Sequence, residues 1–196
     1  IVIISTGMAN QNELSNALKI LKKNTVYVLH CVSMYPTNIE DINLLRMLEI
    51  KKKFKVNVGF SDHTVGTDSS IAAITLGAKI IEKHFTDNKK NKGPDHILSA
   101  DYNDMKKISD FSNSISKILG KKNIEPGQKE SKFRKFFRKG LYAKRDISKF
   151  EKISKKNIII RRPQNNFPIE KYEKILGKKF LKKYKENDSI LKKFIK

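Results

Sequence analysis

Four short, predominantly apolar runs, each followed by an amphipathic stretch, occupy the first 120 residues of the chain. The runs are Ile1–Ile4, Val26–Leu29, Val56–Phe60 and Ala78–Ile81. Residues 11–23, 40–53 and 69–76 place apolar side chains at helical spacing, as Leu14, Ala17, Leu18 and Leu21 do. A fourth stretch, 101–118, sets Tyr102, Met105, Ile108, Phe111, Ile115 and Ile118 on one face and stops at Gly120. A strand apolar on both sides must be covered on both sides, and a helix between successive strands makes them parallel. The pattern predicts four βα units of a (β/α) barrel or of a doubly wound sheet.

Either architecture brings the ends of the strands to one rim, where sites are built. The polar residues collect there: Ser5-Thr6-Gly7, His30-Cys31, Ser61-Asp62-His63-Thr64 and Glu82-Lys83-His84. His63 and His84 each follow a strand, and the two strands are consecutive. Neighbouring strands lie ~4.8 Å apart, so both imidazoles can reach one Mn²⁺, Fe²⁺, Zn²⁺ or Co²⁺ ion. Two protein donors leave positions for water and substrate, the mark of a catalytic rather than structural site. The competing reading is a pair of rim histidines held by backbone hydrogen bonds. Asp95, in Gly93-Pro94-Asp95-His96, follows the fourth strand and suits sugar binding or proton transfer, or else a plain turn. Glu82 and Lys83 flank His84, and alternation lets at most one of them share its direction.

Residues 121–135 are polar, contain Pro126-Gly127 and read as a linker. Residues 136–196 form a second, β-rich domain, with apolar pieces at Leu141–Ala143, Asn157–Ile160 and Ser189–Leu191 and a helix over Pro168–Leu176. Charge divides at the same place. Residues 1–120 hold 16 Lys/Arg against 12 Asp/Glu, whereas residues 121–196 hold 26 against 8. That asymmetry raises a polyanion-binding basic module as a separate functional class. Only 6 of the 42 cations are Arg, and the Lys fall in scattered doublets. This disfavours nucleic acid, whose readers use Arg forks, and favours a solvated Lys surface. The single Cys excludes a disulfide framework and a multi-thiolate zinc site. No apolar run approaches the ~20 residues of a membrane span. Ile1–Ile4 is too short for a signal peptide and has no basic residues before it, so a cytoplasmic protein without membrane partners is expected.

Ser5-Thr6-Gly7-Met8, Leu29-His30-Cys31, Tyr35-Pro36, Gly59-Phe60-Ser61-Asp62-His63-Thr64, Ile81-Glu82-Lys83-His84-Phe85 and Gly93-Pro94-Asp95-His96 occur in one order. Together they resemble the N-acetylneuraminate (sialic acid) synthase family, which includes legionaminate and pseudaminate synthases. Arg138-Lys139-Gly140-Leu141-Tyr142-Ala143, Arg161-Arg162-Pro163 and Ile175-Leu176-Gly177-Lys178 resemble the family's antifreeze-like SAF domain, a β-clip. The resemblance implies an α/β fold: the last four βα units of a TIM (β/α)8 barrel over 1–120, then the SAF domain over 136–196. It implies a transferase that condenses phosphoenolpyruvate with an N-acylmannosamine-type sugar, giving a nine-carbon 2-keto acid and phosphate, with Mn²⁺ or Mg²⁺.

On the same resemblance His63 and His84 are metal ligands and, with Asp95, the catalytic candidates. Ser5 and Ser61 match residues near the phosphate of phosphoenolpyruvate. Tyr35 and Asp95 match contacts to the amino sugar, and Ser33 stands at a substrate position where many relatives have Asn. Arg138 matches an arginine that reaches the partner subunit's barrel, implying a homodimer with swapped tails. Gly93-Pro94-Asp95-His96 favours a neuraminate or legionaminate product over pseudaminate. The barrel's first half, with its strand-one glutamate and phosphate-binding lysines, is not in these residues. Half a barrel leaves open sheet edges, so the chain alone is expected to be inactive. An ice-binding tail is disfavoured by its Lys density. Another aldolase-like metal barrel is disfavoured by the presence of the tail.

Overall fold

The computed structural model describes residues 1–196, which divide into two compact units, Ile1–Lys121 and Lys122–Lys196. In the first, strands β1 (Val2–Ser5), β2 (Val26–Cys31), β3 (Asn57–Asp62) and β4 (Ile81–Lys83) form one parallel sheet in the order β1-β2-β3-β4. Helices α1 (Gln11–Ile20), α2 (Leu45–Phe54) and α3 (Asp68–Thr75) connect them, and α4 (Tyr102–Leu119) follows. Crossovers of one hand between strands laid down in sequential order put every helix on the same side. That arrangement belongs to a barrel segment and not to a doubly wound sheet, whose strand order reverses.

The core lies on the helix side. Leu14 of α1 and Met47 and Ile50 of α2 pack on Val26 and Val28 of β2 and Val58 of β3. Phe60 continues that row against Ile42 and Ala73. Local chemistry sets the helix ends. The Asn10 side chain accepts from the amides of Asn12 and Glu13 while Glu13 reaches back, a capping box that starts α1. Asp101 and Asp104 do the same for α4, and Lys89 braces both carboxylates. α2 ends with Lys55 in the left-handed region (φ 54°), after Lys51, Lys52 and Lys53 in its last turn, where cations suit the helix dipole. No helix is long and apolar enough to cross a membrane.

The second unit pairs β5 (Gly140–Ala143) with β6 (Ile158–Arg161) in antiparallel fashion. Isolated bridges at Ile147–Tyr184, Lys152–Lys179 and Phe180–Ile195 extend the β character over a core that includes Leu141, Ile153, Phe167, Phe180 and Ile190. Asn165 laces it together: its carbonyl accepts from the amides of Leu141 and Phe167, and its amide lies 2.5 Å from Leu141 O.

Several elements differ from the sequence expectation. The polar stretch 121–135 contains most of a helix, α5 (Gln128–Phe137). The helix expected over Pro168–Leu176 is two 3-10 turns, Ile169–Lys171 and Glu173–Ile175. Ser189–Leu191 contributes one bridge, Tyr142–Ser189, and no strand. β4 begins at Ile81 rather than Ala78, and residues 39–41 form a 3-10 turn ahead of α2.

Close approach fixes one glycine. A Cβ on Gly59 would sit 2.4 Å from Ile80 O and 2.5 Å from Leu29 Cδ2. The carbonyl belongs to the β3–β4 connection and cannot move independently of it. Gly59→Ala is expected to destabilise the protein by about 1–3 kcal/mol, read as a lowered urea midpoint at constant m-value.

Candidate functional site

Side-chain alternation decides what the rim contains. Val58, Phe60 and, on β4, Ile81 face the helices, so Gly59, Ser61 and Glu82 face the other way. There Ser61 Oγ donates to Glu82 Oε1 at 2.7 Å, and Ser5 Oγ, from the end of β1, donates to the same oxygen at 3.4 Å. His63 and His84, one residue past β3 and β4, continue this face. Their ring centroids are 5.3 Å apart and their planes are inclined at 76°.

Each imidazole is held by its neighbours. His63 Nδ1 lies 2.8 Å from Val32 O. A carbonyl only accepts, so Nδ1 carries a proton, and in the neutral ring the lone pair is then on Nε2. Cys31 Sγ is 3.9 Å from the same Nδ1. His84 Nδ1 faces Asp95 Oδ2 at 3.6 Å. The Tyr35 ring covers both histidines, with centroids 4.2 Å from His63 and 5.7 Å from His84. Thr37 fastens the Tyr35 loop: its amide donates to His63 O at 2.9 Å and its hydroxyl to Met34 O at 2.8 Å. Behind that loop, His30 Nε2 lies 2.6 Å from Ile42 O, and its Nδ1 is buried without a partner. The loop bearing Asp95 closes on the strand ends through Ala100 N to His84 O at 2.8 Å and Thr86 Oγ1 to His96 Nδ1 at 2.7 Å.

A neutral imidazole whose Nδ1 proton is committed to a carbonyl ligates through Nε2, so His63 fits a metal donor. His84, with a carboxylate beside its other nitrogen, fits likewise. No third His, Cys, Asp or Glu joins them as a cluster. A cation there would complete its shell with water and substrate oxygens.

Of the residues expected at the site, Ser5, Tyr35, Ser61, His63, His84 and Asp95 meet on this rim through the contacts above. Ser33 packs behind the β1 turn, where a Cβ on Gly7 would fall 2.0 Å from Ser33 Oγ. Arg138 is in the second unit, exposed at the end of α5, beside a cavity lined also by Asn165, Asn166 and Glu170. Sequence reasoning left the direction of Glu82 open. The β4 register points it into the rim and sends Lys83 to the helix side.

A parallel sheet segment with all its helices on one side and a histidine pair at adjacent strand ends defines a barrel-type half with a polar rim. The NeuB family matches residues 1–124, and the SAF domain matches residues 138–196. The chain belongs to the NeuB family, with an SAF domain following. It is 41% identical over 194 residues to the N,N'-diacetyllegionaminic acid synthase of Campylobacter jejuni, covering 96% of this chain and 58% of that protein. It is 37% identical over 189 residues to the pseudaminic acid synthase of Helicobacter pylori, covering 95% and 56%. The crystal structure of an N-acetylneuraminic acid synthetase from Leptospira borgpetersenii, in complex with citrate, matches with a TM-score of 0.62. It is 38% identical, over 67% of this chain and 47% of that one. The chain thus spans a little over half the length of the curated relatives it matches.

Burial lowers the His30 pKa from its ordinary 6.5, with Arg46 acting the same way, against the pull of the Ile42 hydrogen bond. The unfolded chain takes up a proton near 6.5 that the folded chain resists. The associated stability is present above about pH 6.5 and is lost as pH falls toward the lowered value. His30→Gln is expected to show a shallower drop in urea midpoint between about pH 7 and 5 than the parent.

Proposed function

We propose that this chain is the histidine-bearing barrel half and tail of a sialic-acid-type synthase. The whole protein condenses phosphoenolpyruvate with an N-acylmannosamine-type sugar and releases a nine-carbon 2-keto acid and phosphate. The observation that carries the reading is the meeting of the His63 and His84 rings, 5.3 Å apart beneath Tyr35, beside the Ser5–Glu82–Ser61 hydrogen bonds. The named activities of the relatives support it. The 41% identity to a legionaminic acid synthase, together with Gly93-Pro94-Asp95-His96, favours a neuraminate or legionaminate-type product.

The reaction joins C3 of phosphoenolpyruvate to the sugar's aldehyde carbon. Water then adds at C2, and phosphate leaves as the C2–O bond breaks. A divalent cation, Mn²⁺ or Mg²⁺, would be held by His63 and His84 and would supply Lewis-acid polarisation of the aldehyde oxygen. Glu82 orients the Ser5 and Ser61 hydroxyls, which can turn to donate to an anionic oxygen. Asp95 accepts from a sugar hydroxyl while holding the His84 ring. Tyr35 covers the imidazoles and offers an apolar wall to the sugar. Arg138 binds the N-acyl end of the sugar from a partner subunit, in a homodimer with exchanged tails. The enzyme works in the cytoplasm, where phosphoenolpyruvate is made.

The test uses the full-length protein with Mn²⁺, phosphoenolpyruvate and a panel of N-acyl hexosamines, following phosphate release. Release is expected to require sugar and cation. His63→Ala and His84→Ala are each expected to lower it at least about 100-fold. Folded, cation-loaded protein that releases no phosphate with any sugar would overturn the proposal. A binding role for the basic tail would then show as affinity for polyanions that falls steeply with salt.

A further inference from the structure

On the helix side of the sheet, directly behind the two histidines, lies an ion pair. Lys83 Nζ is 3.2 Å from Asp62 Oδ2, and both side chains are wholly shielded from solvent. Lys83 Nζ also donates to Thr64 O at 2.6 Å. Asp62 Oδ1 accepts from the Thr64 amide at 2.8 Å and the Thr64 hydroxyl at 2.7 Å, and Oδ2 accepts from Ser70 Oγ at 2.6 Å. Every contact is short, and the set ties β3, β4 and the start of α3 together.

Stability alone does not explain such a pair. Two charges lose their hydration on burial, and well-packed apolar residues in the same space are often as stabilising or more so. The chain positions of the pair supply the reason. Asp62 precedes His63 and Lys83 precedes His84, in facing register on the β3–β4 ladder. The carbonyl that Lys83 grips belongs to Thr64, on the far side of His63. The backbone of His63 is therefore clamped on both sides to the residue that precedes His84. An ammonium bound to a carboxylate and a carbonyl from different points of one turn fixes that turn in two directions. An apolar contact would let it slide. Functional constellations need placement to within about 0.5 Å, and this clamp lies one residue behind each imidazole.

We infer that Asp62 and Lys83 are positioning residues that set the separation of the His63 and His84 imidazoles. Their effect on cation affinity rests on the reading of those histidines as ligands, given under Proposed function. Their effect on ring separation does not.

The test is the double variant Asp62→Asn/Lys83→Met in the full-length protein. It keeps the shape of the site and an acceptor for the Thr64 amide while removing both charges, so neither is left unpaired. Thermal unfolding reports folding, electron paramagnetic resonance of free Mn²⁺ reports affinity, and a crystal structure reports the ring separation. The folded variant is expected to bind Mn²⁺ roughly 10- to 100-fold more weakly, with the rings displaced from their 5.3 Å spacing. Parent-like affinity and spacing in the folded variant would overturn the inference. If the parent binds no Mn²⁺, or His63→Ala leaves its affinity unchanged, the cation reading falls instead. Ring spacing alone then decides: displacement upholds the positioning role and parental spacing refutes it. Should the double variant not fold, Ser70→Ala takes one donor from Asp62 and leaves both charges paired. A several-fold loss of affinity would support the inference, and no change would overturn it.

Discussion

Everything at the rim depends on the register of the short β3–β4 ladder, in which Phe60 faces Ile81, Ser61 faces Glu82 and Asp62 faces Lys83. In a strand, successive side chains point to opposite faces, so this register sorts residues as pairs. Phe60 and Ile81 go to the apolar helix side together, and Asp62 and Lys83 follow them as one neutral unit. Ser61 and Glu82 go to the rim side, and His63 and His84 continue that row. A one-residue slip of β4 against β3 would put Lys83 among the rim serines, leave Asp62 unpaired on the helix side and drive His84 into the helix layer. Breaking one partner of a buried pair costs roughly 3–5 kcal/mol, so the pair also penalises that slip. The energetics of the hidden face thereby protect the chemistry of the exposed one.

The same two-faced logic explains where the fold was legible. Apolar runs on the strands and 3.6-residue periodicity in the helices are strong signals, and the four βα units stand where they point. The sequential strand order resolved the choice between barrel segment and doubly wound sheet, which periodicity cannot make because both architectures bury their strands alike. Strand ends were less legible. Ser61-Asp62 and Glu82-Lys83 are polar and read as loop, yet they are ladder residues, because their partners across the pair satisfy them. The inward aim of Glu82 and the outward aim of Lys83 were within reach: counting by twos from Ile81, an apolar residue that must face the helices, assigns both. Helix α5 was masked by Pro126-Gly127 and its density of Lys, although Phe133, Phe136 and Phe137 repeat at helical spacing. In the second unit, turns and single bridges replace regular elements, and no periodic signal exists to be read.

The basic tail also has a structural reading beyond its net charge. Three of its lysines lie over aromatic rings, with Lys149 on Phe150, Lys182 on Tyr184 and Phe194, and Lys193 on Phe194, all within 5.0 Å of a centroid. Arg161 lies over Tyr142 and Arg162 over Phe137 in the same manner. Long cationic side chains of this kind shield apolar surface with their stems while their charged ends stay in water. A small β domain with few regular strands has little core to spare, and such shielding lets it keep aromatic residues near its surface. The separated lysines and ring-bound guanidinia contrast with the convergent forks of a phosphate clamp.

On the first unit, the sheet face turned away from the helices explains why this half does not read as a finished domain. Ile1 is 89% exposed and Ile3 49% exposed along the β1 edge. Parallel sheets are stable when both faces and both edges are covered. Toward the rim this face carries Ser5, Ser61, Glu82, His63 and His84. Polar groups so placed cannot serve as a second core, and burying them under apolar helices would leave them without partners. The cover that suits this face is further strands whose own polar ends complete the rim, as a closed barrel supplies. The apolar β1 edge and the polar rim therefore call for the same kind of cover, which is the geometry a barrel wall provides.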